Sequence, residues 1–288
     1  MANMIELIKE LRDRTGAGMM DCKHALEASG EDVEKAIDWL REKGIAKAQA
    51  KASRIAAEGL SDVLVSENKA IIGEINCETD FVSKGEKFHK LVADSLEATL
   101  KAGSKNIEEA KETTKSLFTD ATVSMGEKLD YRRFEVVEKT SEQGLGSYIH
   151  MGGKIAVVVL LQKDDAELAK GLAMHIAANA PKYVSEADIP TDVIEHEKAI
   201  AFENAKADPK LAGKPQQMLE GIVNGKVKKL LAESVLFSQA YLLDGEKSVA
   251  QVLKEKGNNV LKFVRYAVGE GIEKRQDNFA EEVMKEIK

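Results

Sequence analysis

Asp80 and Phe81 stand side by side in the stretch INCETDFVSKGEKF, residues 75–88. A carboxylate can cap a helix or take a cation; an aromatic ring can fill a core or anchor a partner. Their position, between an alternating segment and a helical one, is the tip of a connection. Thr79-Asp80-Phe81-Val82 therefore either closes a turn with Phe81 packed inward or reaches for something outside. Elsewhere, residue types for covalent chemistry are sparse. The five histidines, at 24, 89, 150, 175 and 196, are scattered. Cys22 with His24 falls short of the three or four ligands at recognisable spacing that a metal site wants, so no metal is expected. His89 and His175 fall on helix faces, where structural roles are the simpler reading. Gly153-Lys154 and Gly225-Lys226 lack the earlier glycine and the following Ser or Thr of a phosphate-cradling loop. Gly-Glu-Gly at 269–271 lacks the third glycine and the preceding strand–helix turn of a dinucleotide fingerprint. There is no G-x-S-x-G elbow. The expectation is a protein without covalent catalysis and without a cofactor.

The bulk properties narrow the class. The chain has 288 residues, 43% hydrophobic, 32% charged and only 5% aromatic, with a net charge of -7. That suits a helix-rich chain of about two domains with a genuine core. The acidic balance argues against nucleic acid as main partner, since phosphates call for a basic surface. Two cysteines far apart, Cys22 and Cys77, fit a reducing compartment. No membrane span and no leader is expected, and the cytoplasm is the default location.

The elements that must hold the tip follow from periodicity. Residues 1–43 read as three short helices. Ile5, Leu7, Ile8 and Leu11 give the first its stripe, Gly30 ends the second, and Val33, Ile37 and Leu40 line the third, which Gly44 closes. Residues 41–54, with five basic residues against one acidic, read as a partly helical tether. LSDVLVS and AIIGEINCE read as a hairpin. Phe88, Leu91, Val92 and Leu96 then mark the buried face of a helix, with Ser83 and Glu86 as its capping box.

The order recurs. GSYIHM and KIAVVVLLQ form a second hairpin whose second strand is apolar throughout, hence covered on both faces. A helix with Leu168, Leu172 and Ile176 follows. At a constant offset Ala70 matches Lys154, Asp80 matches Asp164, Phe88 matches Leu172 and Val92 matches Ile176. This is a duplicated hairpin-plus-helix unit, and residues 132–139 add a strand between the copies. Residues 190–207 and 216–234 read as two antiparallel helices with thin apolar stripes, a protruding hairpin. VLFSQAYLL and NVLKFVRYAV read as strands, with a helix capped by Ser248 and Gln251 between them and a terminal helix over 272–287. The fold class is α+β.

The duplication sharpens the opening choice. The second copy has Lys163-Asp164-Asp165 at the tip and no aromatic, so the shared fold does not require Phe81 there. An exposed aromatic on a rigid corner is the form of a protein–protein anchor. INCETDFVSKGEKF resembles the signature of the elongation factor Ts family. LIKELRDRTGAGMMDCKHAL, GSYIHMGGKIAVVV, GKPQQMLEGIVNGKVKKLLAE and FVRYAVGEGIEKRQDNFAEEV are similar to further segments of that family, in order along the chain.

The resemblance implies a three-helix module like a ubiquitin-associated domain with its linker over 1–54, and core halves over 55–140 and 141–185. A coiled-coil hairpin over 186–234 and a C-terminal module over 235–288 complete the layout. It implies exchange of GDP for GTP on the GTPase elongation factor Tu, without direct nucleotide binding by this chain. Thr79, Asp80, Phe81 and Val82 would disturb the partner's Mg2+ site. Arg12, Met19, Met20, Met125, Gly126 and His150 match its other contacts, although Met19 and Met20 could pack inward and His150 could be a turn residue. Whether the chain pairs with itself through the hairpin stays open. A general protein-binding adaptor, suggested by the three helices, and an RNA-binding translation protein, suggested by residues 41–54, are the alternatives.

Overall fold

In the computed structural model, residues 3–209, 211 and 214–273 are described. The expected terminal helix over 272–287 lies almost wholly outside them. Three N-terminal helices, α1 (Met4–Thr15), α2 (Met19–Ala28) and α3 (Val33–Lys51), enclose Leu11, Cys22, Ala25, Leu26, Ala36 and Leu40. Asn3 and Glu6 form a reciprocal cap at the start of α1. Two features differ from the sequence reading. Ile5 points into solvent, because the stripe that turns inward is Met4, Leu7, Ile8 and Leu11. Gly44 does not end α3; the helix runs seven residues further, through most of the basic run. A Cβ at Gly44 would lie 2.5 Å from Val123 Cγ2, so glycine here lets a neighbouring helix approach rather than stopping its own.

The core is two three-stranded antiparallel sheets packed face to face, each with a helix on its outer side. In the first, β1 (Glu58–Ser66), β2 (Lys69–Cys77) and β3 (Asp130–Glu138) lie in the order β1-β2-β3. In the second, β4 (Gly144–His150), β5 (Ile155–Leu161) and β8 (Val260–Ala267) lie in the order β4-β5-β8. Both central strands are buried on both faces. Ile71, Ile75 and Cys77 of β2 meet Phe88, Leu91, Val92 and Leu96 of α5 (Glu86–Ala102). Val157, Val159 and Leu161 of β5 meet Leu168, Leu172 and Ile176 of α8 (Ala166–Asn179). Between the sheets, Ala70, Ile72 and Val137 interleave with Ala156, Val158, Leu160, Val264 and Tyr266. The mixture of helix with antiparallel sheet is the α+β class read from the sequence.

One polar cluster fastens the two sheets at their shared end. Glu74, fully buried on β2, takes Arg132 Nη1 at 3.0 Å and Arg133 Nε at 2.6 Å. It also accepts the Gly269 backbone N–H just past β8, at 2.8 Å. Arg133 then lies over the Tyr266 ring, 4.2 Å from its centroid. A carboxylate so enclosed is tolerated only because every neighbour is a donor or a cation.

Helices α6 (Ile107–Thr113) and α7 (Lys115–Met125) link α5 to β3. Helices α9 (Thr191–Ala207) and α10 (Gln216–Ala232) pair around their own small cluster, Ala205, Val223 and Val227. Residues 235–243 are not one strand. Leu236–Ser238 is a 3-10 turn and only β6 (Ala240–Tyr241) pairs, with β7 (Asp244–Ser248). The Leu236 and Phe237 amides bond instead to the carbonyls of Tyr183 and Val184, which takes the segment out of any long ladder. The Ser248–Gln251 capping box opens α11 (Val249–Lys256) as read from the sequence.

Candidate functional site

The strand-to-helix corner after β2 is a helical turn of its own. Cys77 ends β2, and α4 (Asp80–Ser83) intervenes before α5. The expected Ser83–Glu86 capping box is absent. Ser83 is buried inside α4 and its hydroxyl donates backward to the Asp80 carbonyl at 3.2 Å, while the N-cap of α5 is Gly85, without a side-chain bond. Thr79 is the residue that caps, accepting the Val82 amide at 3.4 Å.

This arrangement splits the four tip residues by role. Val82 packs against the first-sheet core and Thr79 is bonded into the corner. Asp80 and Phe81 are left facing outward. Phe81 is 86% exposed, more than any other large apolar residue described. The Asp80 carboxylate receives Lys84 Nζ at 2.6 Å, one turn along. That hydrogen bond and charge hold its carboxyl below the ordinary range, with help from Lys154. The pair is open to solvent, so it orients more than it stabilises.

What holds the corner is a residue the sequence reading did not single out. Glu127, directly after Gly126, accepts the amides of Glu78 and Thr79 at 3.0 Å each and the Thr79 hydroxyl at 2.6 Å. Glu78 answers by accepting the Lys128 amide at 2.7 Å. No local pattern could have pointed to this, because the partners lie 48 residues apart.

The other residues singled out fall as follows. Met19 and Met20, at the start of α2, are both 58% exposed and do not pack inward. Their loop reaches the corner: a Cβ on Gly16 would come 2.6 Å from Lys87 Nζ on α5 and 3.3 Å from Ser124 Cβ on α7. Met125 is half-buried against the first-sheet core, and Gly126 is an exposed left-handed cap, φ 72°, with open space around it. Arg12 is exposed one turn before Gly16, whose amide bonds to its carbonyl. His150 is half-buried at the end of β4 with Nδ1 3.3 Å from the Tyr148 hydroxyl. Its turn bonds to β1 through the Gly153 carbonyl and the Ser61 amide, at 2.7 Å, and exposes Met151 beside it. The loop before α2, the corner, the end of α7 and, through Lys154 and Glu58, the β4–β5 turn thus lie near one another.

The basic run of residues 41–54 is largely engaged internally. Arg41 pairs with Asp120 at 3.2 Å, Lys51 with the Gly126 carbonyl, and Arg54 with Glu78 at 3.1 Å. Lys128 in turn bonds to the Ala52 and Arg54 carbonyls, at 2.7 Å each, closing the end of α3. His175 is buried on α8, where its Nδ1 accepts the Leu242 amide at 3.1 Å and Nε2 faces Gln239 Oε1 at 2.9 Å. Burial pushes its pKa down. It is a structural link between α8 and the β6–β7 segment. Among the described residues, no group of three or more His, Cys, Asp or Glu is arranged to hold a metal ion. No described helix is long and apolar enough to cross a membrane.

A rigid corner that projects a bare aromatic ring, without a convergent set of reactive groups, has the form of a docking anchor. A family model described as Elongation factor TS matches residues 78–270, more than half of the chain, starting at the corner itself. The chain belongs to the elongation factor Ts family, a family of translation elongation factors.

Proposed function

We propose that this protein is a guanine-nucleotide exchange factor that acts on the GTPase elongation factor Tu in the cytoplasm, without binding nucleotide itself. Family membership supports the activity, and the observation that carries it is Phe81: almost entirely exposed, yet on a corner whose Glu78 and Thr79 amides and Thr79 hydroxyl are all bonded to Glu127. Asp80 and Phe81 would enter between helices of the GTPase next to its Mg2+ site. Lys84 orients the Asp80 carboxylate until it meets the partner. Weakening the hold on Mg2+ removes the main charge that neutralises the nucleotide phosphates, so GDP leaves faster. Each ~1.4 kcal/mol taken from that barrier is tenfold in rate. Linkage requires the reverse as well: incoming nucleotide weakens the factor's own hold, so one molecule turns over many partners.

Met19, Met20 and the β4–β5 turn with His150 supply further contact around the corner, and the helical pair α9–α10 is read as a coiled-coil arm. The three N-terminal helices are read as a module like a ubiquitin-associated domain. Release of fluorescent GDP from elongation factor Tu tests the proposal. Catalytic amounts of this chain should accelerate release, and the chain alone should bind no GDP. Unchanged release, or tight GDP binding by the isolated chain, would refute it.

A further inference from the structure

We infer that Glu127 is the positioning residue of the Asp80–Phe81 tip: it touches no partner and sets the direction in which Phe81 projects. The inference rests on the exchange activity proposed above. Helix α4 has four residues, too few to be stable alone, because a single turn fixes many dihedrals for one or two hydrogen bonds. Phe81 gains almost nothing from its own surroundings, so its orientation is that of the backbone beneath it. That backbone is determined at Thr79, whose hydroxyl does two things at once. It donates to Glu127 Oε1 at 2.6 Å and accepts the Val82 amide at 3.4 Å. A hydroxyl that donates to a carboxylate becomes a better acceptor, so Glu127 strengthens the cap through Thr79. Glu127 Oε2 meanwhile takes both amides that leave the end of β2, those of Glu78 and Thr79. A carboxylate suits the place because both of its oxygens accept. An amide would have one accepting oxygen for the two main-chain amides and would turn its NH2 on the Thr79 hydroxyl, which would then accept there instead of donating and no longer be polarised toward the Val82 amide.

The clamp also has a far end. Gly126, with φ 72°, turns the chain out of α7 so that Glu127 faces the corner, and its carbonyl receives Lys51 from the last turn of α3. Lys128 reaches the carbonyls of Ala52 and Arg54. The segment 126–128 is therefore bonded to the tip on one side and to the end of α3 on the other. Met125 and Gly126 act on the tip by aiming Glu127, whatever they touch besides.

The test uses the full chain with Glu127→Gln, Phe81→Ala and the double variant, measured by fluorescent-GDP release from elongation factor Tu over a range of factor concentrations. Glu127→Gln should lower the rate at saturating factor about tenfold or more, since small misplacement of a positioned group is that costly. The concentration giving half the effect should move less. In the Phe81→Ala background the same change should add little, because a residue that acts through Phe81 has nothing left to aim. Hydrogen exchange of the free variant should show the Glu78, Thr79 and Val82 amides deprotected while Ile71 and Ile75 stay protected. Losses of Glu127→Gln and Phe81→Ala that simply multiply, or a full rate in Glu127→Gln, would overturn the inference. If the unaltered chain does not accelerate release, the proposed function fails. Amide protection at Thr79 and Val82 then still decides whether Glu127 holds the corner.

Discussion

Phe81→Ala separates an anchor from a core residue, and the structure sets the size of the difference. The residue is 86% exposed, so about one-seventh of a side chain of ~200 Å2 leaves water on folding, roughly 30 Å2. At about 25 cal/mol per Å2 its removal costs about 0.7 kcal/mol. Alanine returns a few tenths through its better helix propensity in α4, about 0.5 kcal/mol, so the net change should stay within about 0.5 kcal/mol. Phe88, fully buried seven positions on, is the control: Phe88→Ala should cost ~3–5 kcal/mol. On docking the order reverses. An aromatic anchor that is buried in a partner is a hot spot of ~2 kcal/mol or more, about thirtyfold in affinity. Urea midpoints of the three proteins, and GDP release from elongation factor Tu at matched folded concentration, measure both sides. Phe81→Ala that unfolds like Phe88→Ala while keeping its exchange rate would refute the reasoning, and would make the corner a turn and nothing more.

Four further outcomes follow from the same geometry. Glu74→Ala should lose ~1–3 kcal/mol in urea unfolding, because it removes the carboxylate shared by Arg132 and Arg133, which keep only their contacts to Ala267 and Glu270, and orphans the Gly269 amide. His175 is held neutral by burial, with a folded pKa below the ordinary 6.5, so the unfolded chain binds its proton first as pH falls. The stability this contributes is present above about pH 6.5 and is lost as pH falls from there through the folded pKa; thermal midpoints from pH 8 to 5 should show that slope, and His175→Gln should flatten it. Gly44→Ala should destabilise by ~1–3 kcal/mol despite alanine's propensity, since its methyl would overlap Val123, whereas Gly221→Ala on α10 meets open space and should stabilise by up to about 1 kcal/mol, both read from thermal unfolding. Deleting residues 195–228 should leave the thermal midpoint of the core nearly unchanged, because Ala205, Val223 and Val227 form a cluster apart from both sheets; a collapse of the midpoint would show the helical pair to be part of the core.

The parts of this protein legible in its sequence are those governed by neighbours close along the chain. Side chains alternate with period 2 on a strand and return every three to four residues on a helix, so both hairpins and the faces of α5 and α8 could be read directly. The apolar run of β5 announced a strand covered twice, and Ser248 with Gln251 announced a helix start. The aromatic at the tip stood out because the duplicated copy lacks one.

Tertiary structure decided whatever depends on contacts between distant segments. Ile5 and Met4 are equally apolar, and only the packing of α2 and α3 determines which turns inward. Gly44 carries the signature of a helix end, but Val123 arriving from α7 makes it a contact point within a helix. Ser83 and Glu86 have the spacing of a capping box, yet the corner burial of Ser83 turns its hydroxyl backward. The third strand of the second sheet, β8, comes from about a hundred residues beyond β5, and no periodicity states a partner. Glu127 could not be found locally either: a single glutamate after a glycine is ordinary in sequence. It acquires its place because folding carries the end of α7 against the end of β2, where three unpaired donors require an acceptor.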